Sequence, residues 1–317
     1  MTTVVATVQA SPVVLDREAT IDKVADLTKQ AAAEGARLVV FPETFVPTYP
    51  DWVWRTTPWA DGPWYERLYD ESVEIPSAAA DRLGAIAAEH DAYLCIGVNE
   101  RDGGTLYNTL LFYSAAGDLL GKHRKLMATG GERLVWGQGD GSTLVAYDTP
   151  FGRLGGLICW ENYMPLARAA LYGQGVDIYV APTWDNTDVW VPTLRHIAKE
   201  GGCYVVGSTP CMRGADMPAM ANRDDLYDDD GWLSRGNSCI VAPGGELLAG
   251  PEAEVETILY AEIDPAAPAR YRRMFDAVGH YSRADVLRLV VDGAPRQAVA
   301  FQRDNPVGER EDAGDSD

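Results

Sequence analysis

Apolar and polar positions along this chain follow two rhythms that take turns. Val4–Gln9 is a short, β-branched, apolar run of the kind that forms a buried strand. Residues 21–34 then place Ile21, Val24, Ala25, Leu27, Ala31 and Ala32 on one helical stripe. Arg37–Phe41 reads as the next strand, stopped at Pro42 because proline cannot donate to a ladder. The same succession predicts helices over 78–89, 166–172 and 190–200. It predicts strands over 93–98, 106–113, 118–122, 154–158, 176–181 and 204–208. Strands alternating with helices point to an α/β layered fold, and paired strands near 93–124 and 238–263 add antiparallel or mixed pairing. Neither a linker rich in Pro, Ser and Gly nor a repeat of about 20–50 residues interrupts the pattern, so one domain over 1–302 is expected. Residues 303–317 are polar and acidic and predict a disordered tail. Residues 213–230, with Pro218 and several aspartates, read as a solvated loop, or else as one that covers a site.

Composition narrows the functional classes. The chain has 317 residues, 46% of them hydrophobic, enough for a sizeable core. Lys and Arg number 27 against 47 Asp and Glu, a net charge of −20 that opposes a nucleic-acid or anionic-membrane partner. Apolar runs fall short of the roughly 20 residues that span a bilayer, and the first ten residues lack the features of a signal peptide. A soluble, cytoplasmic protein is expected. The 5 cysteines form no CxxC pair and the 4 histidines no HExxH, so neither a disulfide framework nor a metal site is indicated. Gly137–Ser142 lacks the final glycine of a dinucleotide loop, and Asp228–Gly231 fails the calcium-loop register.

Chemistry is concentrated in three short motifs. Gly155–Asn162 places Cys159 at a strand-to-helix turn, where a helix N-terminus would favour the thiolate; the alternative is a buried core cysteine. No histidine stands out as its partner. Glu43, after a strand and among Phe41, Phe45 and Pro47, would have a raised pKa suited to a general base, or else be a surface loop residue. Lys125, in His123-Arg124-Lys125-Leu126, can hold a developing oxyanion, although a basic triplet also suits a solvated strand end. Tyr49, Trp160 and Trp184, with Trp52, Trp54 and Trp190, would line an aromatic pocket or serve as core.

Taken together, FPETF around Glu43, HRKL around Lys125 and ICWEN around Cys159 resemble the Glu-Lys-Cys triad of the nitrilase superfamily of carbon-nitrogen hydrolases. The run Cys159–Arg168 resembles the true nitrilase branch, whereas amidase-like branches usually carry Tyr and Asp after the cysteine. Glu132, in Gly131-Glu132-Arg133, matches the second glutamate of that family. Met127-Ala128-Thr129 departs from it, since Pro often precedes the Thr. The resemblance implies a four-layer α-β-β-α sandwich. It also implies hydrolysis of an organic nitrile by water, through thioimidate and thioester intermediates, to a carboxylic acid and ammonia. Neither cofactor nor metal is implied, and Glu43, Lys125, Cys159 and Glu132 would be catalytic. An amidase or carbamoylase using the same triad is one alternative, and a non-catalytic binding or assembly protein another. Members of the family pair and extend into spirals, so a homo-oligomer of at least a dimer is expected. The apolar residues around the segment 163–172 give an independent reason for a partner chain.

Overall fold

The layering follows from which way alternate strand residues point. In β1 (Thr3–Gln9), Val5 enters one buried cluster while Ala6 and Val8 enter another. In β2 (Ala36–Val40), Leu38 and Val40 face one way and Val39 the other. Strands buried on both faces need a covering layer on each. The computed structural model describes residues 2–296 and 299; the tail expected over 303–317 lies outside the described residues.

A first sheet continues with β3 (Val73–Glu74), β4 (Tyr93–Asp102), β5 (Thr105–Tyr113) and β6 (Leu119–Arg124). A second contains β7 (Tyr147–Thr149), β8 (Gly152–Gly156), β9 (Ile178–Pro182) and β10 (Tyr204–Ser208). The strands β11 (Cys211–Arg213) and β12 (Trp232–Arg235) form a separate ribbon. They are followed by β13 (Cys239–Val241), β14 (Leu247–Ala249) and β15 (Thr257–Ile263). The first sheet is ordered β15-β1-β2-β4-β5-β6 with β3 beside β4, and the second β14-β13-β10-β9-β8-β7. Pairing is parallel along β1-β2-β4 and β8-β9-β10 and antiparallel along β4-β5-β6, a mixed arrangement.

Val5, Leu38, Val40, Leu110 and Phe112 of the first sheet meet Leu154, Ile178, Val180, Val206 and Ile240 of the second. Outside the first sheet lie α1 (Arg17–Ala33) and, beyond the short α2 (Gly62–Glu71), α3 (Ala78–Glu89). Outside the second lie α4 (Pro165–Tyr172) and α5 (Trp190–Gly201), through Leu171, Trp190, Leu194 and Ile197. The order is therefore α-β-β-α. Local signals fix the helix ends. Asp16 accepts the N–H of Ala19 at 2.9 Å to start α1, and Gly202, at φ +57°, ends α5.

Three details differ from the sequence pattern. Only Trp64 and Leu68 of α2 are buried, too few positions to show a stripe. The segment 213–230 is not merely solvated: it contains α6 (Arg223–Leu226), and Met217 and Tyr227 are buried in a cluster with Trp64. After β8 the chain makes a 3-10 turn, Cys159–Tyr163, before α4 begins at Pro165. The chain closes its described secondary structure with α7 (Ala267–Arg272). Among the described residues no helix is long and apolar enough to cross a membrane.

Candidate active site

The residues that follow the carboxyl ends of β2, β6, β8 and β9 converge, the usual place for a site in sheets with parallel strands. Beyond β2, Pro42, Glu43 and Thr44 turn back across β4, with Thr44 at φ +42°. Gly97 permits this approach, since a Cβ there would stand 2.3 Å from the Thr44 nitrogen. Glu43 is thereby buried. Its Oε1 accepts from Lys125 Nζ at 2.8 Å and from Asn108 Nδ2 at 2.7 Å, while Oε2 accepts the Trp184 N–H at 2.6 Å.

Strand alternation sorts the basic triplet at the end of β6. His123 and Lys125 point inward and are buried; Arg124 points outward and lies 3.9 Å from the centre of the Tyr107 ring. The Lys125 N–H donates to the Asn108 carbonyl at 2.8 Å, which fixes the residue at the strand exit. Its ammonium also reaches Glu132 Oε2, at 2.8 Å. Glu132 sits in the 3-10 turn Gly130–Leu134, accepts the Thr129 N–H at 2.7 Å and takes the Tyr49 hydroxyl on Oε1 at 2.7 Å. The turn forms without a proline before Thr129, so the Met127-Ala128-Thr129 departure leaves Glu132 in place.

Cys159 opens its turn in the left-handed region, at φ +53°, a conformation costing a non-glycine residue about 1–3 kcal/mol. Asn162 braces it, with Nδ2 donating to the carbonyls of Leu157 at 3.0 Å and Cys159 at 2.8 Å. Contrary to the expectation of a helix-stabilised thiolate, the thiol pKa is raised. Burial is the main cause and the Glu43 charge adds to it; Lys125 and a hydrogen bond with Thr183 work the other way. The α-helix begins only at Pro165, too late to supply its dipole at the sulfur. A thiol whose pKa is raised in this way ionises only with the help of a base. Glu43 has the matching property: burial pushes its pKa up, the Glu132 charge pushes further, and Lys125 and Asn108 pull back. Burial disfavours the Lys125 charge, yet Glu43, Cys159 and Glu132 outweigh it and raise the ammonium pKa.

The model of a family described as carbon-nitrogen hydrolase matches residues 4–273. The chain belongs to the carbon-nitrogen hydrolase family. An aliphatic nitrilase of Sinorhizobium fredii is 46% identical over 300 residues, which cover 93% of this chain and 97% of that protein. A bifunctional nitrilase/nitrile hydratase of Lupinus angustifolius is 44% identical over 306 residues, covering 93% of this chain and 87% of that protein. These likenesses put the carbon-nitrogen hydrolase in the nitrilase branch of its superfamily. The crystal structure of a carbon-nitrogen hydrolase from Helicobacter pylori G27 has a TM-score of 0.70 at 23% identity, covering 90% of this chain and 96% of that one. That likeness is one of fold and agrees with the four layers.

The aromatic residues of this carbon-nitrogen hydrolase divide. Tyr49 and Trp184 stack at 4.5 Å with an 8° interplanar angle, and with Glu43, Phe45 and Met212 they border a closed-in cleft with no room for a water molecule. Trp54 joins them by donating Nε1–H to the Tyr49 hydroxyl at 3.0 Å. Trp160 does not share this cleft: it is 49% exposed and donates to Asp185 at 2.9 Å, beside Tyr163. Trp52 and Trp190 are core residues. A cavity of about 650 Å³ runs along the 215–229 segment and touches none of Glu43, Lys125, Glu132 or Cys159. Sequence reasoning missed Asn108, which holds Glu43 with its side chain and Lys125 with its carbonyl. A buried-looking asparagine within an apolar strand was the available signal.

Proposed function

We propose that the protein is a nitrilase, converting an organic nitrile and water to a carboxylic acid and ammonia without a cofactor. The observation that carries this reading is the buried array of Glu43, Lys125 and Glu132 around a Cys159 thiol of raised pKa, in a chain of the nitrilase branch. Glu43 takes the thiol proton as sulfur attacks the nitrile carbon, and the nitrogen is protonated to give a thioimidate. Water then adds, with Glu43 as base, to a tetrahedral intermediate. Carboxylates occupy two of the three Lys125 ammonium donors, so the third serves charge developing on the intermediate. Loss of ammonia leaves a thioester, which a second water hydrolyses to the acid and the free thiol. Expulsion of the thiol from the tetrahedral intermediate would instead release an amide, the product of a hydratase. Tyr49 and Trp184 are read as walls of the substrate pocket, and Trp160 as a residue of its outer rim.

Residues 1–302 are read as one hydrolase domain, supported by the family match over 4–273. Five free, buried cysteines suit a cytoplasmic protein. A homo-oligomer accounts for Tyr163 and Leu166, apolar residues that remain exposed beside the nucleophile turn while α5 covers the other side of α4. Ammonia and amide release from aliphatic, arylaliphatic and aromatic nitriles, and from the matching amides, tests the activity. Turnover of nitriles to acid is expected; turnover of amides alone would replace this reading with an amidase, and turnover of neither with a binding protein. Light scattering giving a monomer at both low and moderate salt would remove the oligomer.

A further inference from the structure

A second buried ion pair lies beside the site and takes no part in the steps above. His123 precedes Lys125 by two residues and Glu161 follows Cys159 by two. Their side chains are 2% and 0% exposed, with His123 Nε2 3.0 Å from Glu161 Oε2. Glu161 Oε2 also accepts the N–H of Ile158 at 2.7 Å, and Oε1 accepts the N–H of Leu126 at 2.6 Å. Ile158 is the residue before the nucleophile, and Leu126 is the residue after the lysine. One carboxylate therefore bonds the two backbone segments that present the reacting groups.

Those segments leave different sheets, Lys125 from β6 of the first and Cys159 from β8 of the second. Between the sheets the contacts are mainly apolar, and apolar contacts are non-directional: they resist separation more than sliding. A directional link is needed to set the distance from ammonium to sulfur. The histidine completes the link electrically. Its Nδ1 lies 3.2 Å from the Thr143 carbonyl and 3.3 Å from the Thr143 hydroxyl, so an imidazolium has an acceptor at each ring nitrogen.

We propose that Glu161, charge-balanced by His123, is a positioning residue that fixes Lys125 against Cys159 across the two sheets. This rests on the Glu-Lys-Cys reading above. In Glu161→Gln one carboxylate oxygen becomes an NH₂ group aimed at a backbone N–H, so one of the two segments is released. A displacement of about 1 Å at a reacting group costs on the order of 100-fold in rate.

The test uses the full chain and its variants Glu161→Gln, His123→Leu and His123→Gln. It measures kcat and KM on the best nitrile of the panel, the rate of Cys159 alkylation by iodoacetamide followed by peptide mapping, and thermal melting. For Glu161→Gln, kcat is expected to fall about 100-fold with KM within about threefold, and alkylation to slow, at a temperature where melting shows the variant folded. A role in folding alone would lower the melting temperature and leave the rate per folded site unchanged, and that result overturns the proposal. Should Glu161→Gln not fold, the histidine pair decides. Gln can donate to Glu161 and Leu cannot, so His123→Gln is expected to retain at least about tenfold more activity than His123→Leu. Equal rates in the two overturn the proposal. If the parent hydrolyses no nitrile, the nitrilase reading fails by itself, and alkylation rates still judge the link between Lys125 and Cys159.

Discussion

Two carboxylate networks share the strand β6 and its exit, one on each face, and they behave oppositely. On the outer face Lys122 and Arg124 both bond Glu100, Arg124 Nε at 2.9 Å, and Thr109 donates at 2.7 Å. On the inner face Lys125 alone serves both Glu43 and Glu132. Glu100 and Glu43 are both shielded from solvent, Glu43 the more deeply set, and burial raises both pKa values. For Glu100 the two cations and the hydroxyl win, and its pKa is lowered. For Glu43 one cation is shared with a second carboxylate, burial wins, and its pKa is raised. Glu100, with two cations and a hydroxyl, keeps its charge, whereas Glu43, whose one cation is shared with Glu132, is pushed towards holding a proton. The outer network is built to hold; the inner one is built to exchange.

The sharpest way to break the contrast is to remove the inner groups. Cys159→Ala is expected to reduce ammonia release below about a thousandth of the parent rate, and Glu43→Gln and Lys125→Ala to lower it by orders of magnitude. Glu43→Gln should do so with a smaller loss of stability at neutral pH than Glu100→Gln, although the new NH₂ faces a donor at either oxygen. A raised carboxylate pKa means that its stabilising contribution is present below the ordinary carboxylate range and lost as pH rises through the raised value. The ionised group is thus a cost to the native state at pH 7, and urea denaturation of the two variants checks the order. A fall in stability as large as that of Glu100→Gln would show that Glu43 belongs with Glu100.

Glu132→Gln comes next, with kcat lower by about 100-fold. It also equalises the inner ratio to one cation and one carboxylate. The negative neighbour that raises Glu43 is gone, so the acidic limb of the pH profile of kcat/KM should move to lower pH. An unmoved limb would detach Glu43 from the limb.

Glu100→Gln should leave kcat within about threefold while lowering stability by about 3 kcal/mol at pH 7, as the loss of a buried partner does. The lowered pKa of Glu100 places its stabilisation above the ordinary carboxylate range. The difference from the parent in urea denaturation should therefore shrink as pH falls through the lowered value. The smallest effect expected is that of Trp160→Phe, at the exposed rim: rates within about threefold for every nitrile tested. A larger change confined to bulky substrates would draw Trp160 into the cleft.

Much of this was legible in the sequence because the sheets are buried on both faces and their strands are continuous apolar runs. β1, β2, β4, β5 and β10 all declare themselves in that way, and the helices α1, α3 and α5 by their stripes. The positions of Glu43, Lys125 and Cys159 were legible as strand ends. Their charge states were not, because a pKa depends on groups distant in the chain: Glu132 beside Glu43, or Asn108 across from both. The state of Cys159 was misjudged for a local reason. A strand followed by helix-forming residues suggested immediate helical entry, but the 3-10 turn held by Asn162 and Glu161 delays the helix to Pro165. The exposure of Trp160 was not legible either, as that turn carries its ring to the surface.

The stacked pair Tyr49 and Trp184 looks symmetrical as a cleft wall, yet its two members differ in how freely descent or a mutant library can vary them. Tyr49 touches the machinery through its hydroxyl, which Glu132 accepts, so nearly every replacement also disturbs the lysine's partner. Trp184 touches it through its main-chain N–H, which every residue except proline possesses. On the proposed role of the pair as pocket walls, new substrate ranges lie within single steps at position 184, while position 49 is closed to them unless Glu132 finds another donor.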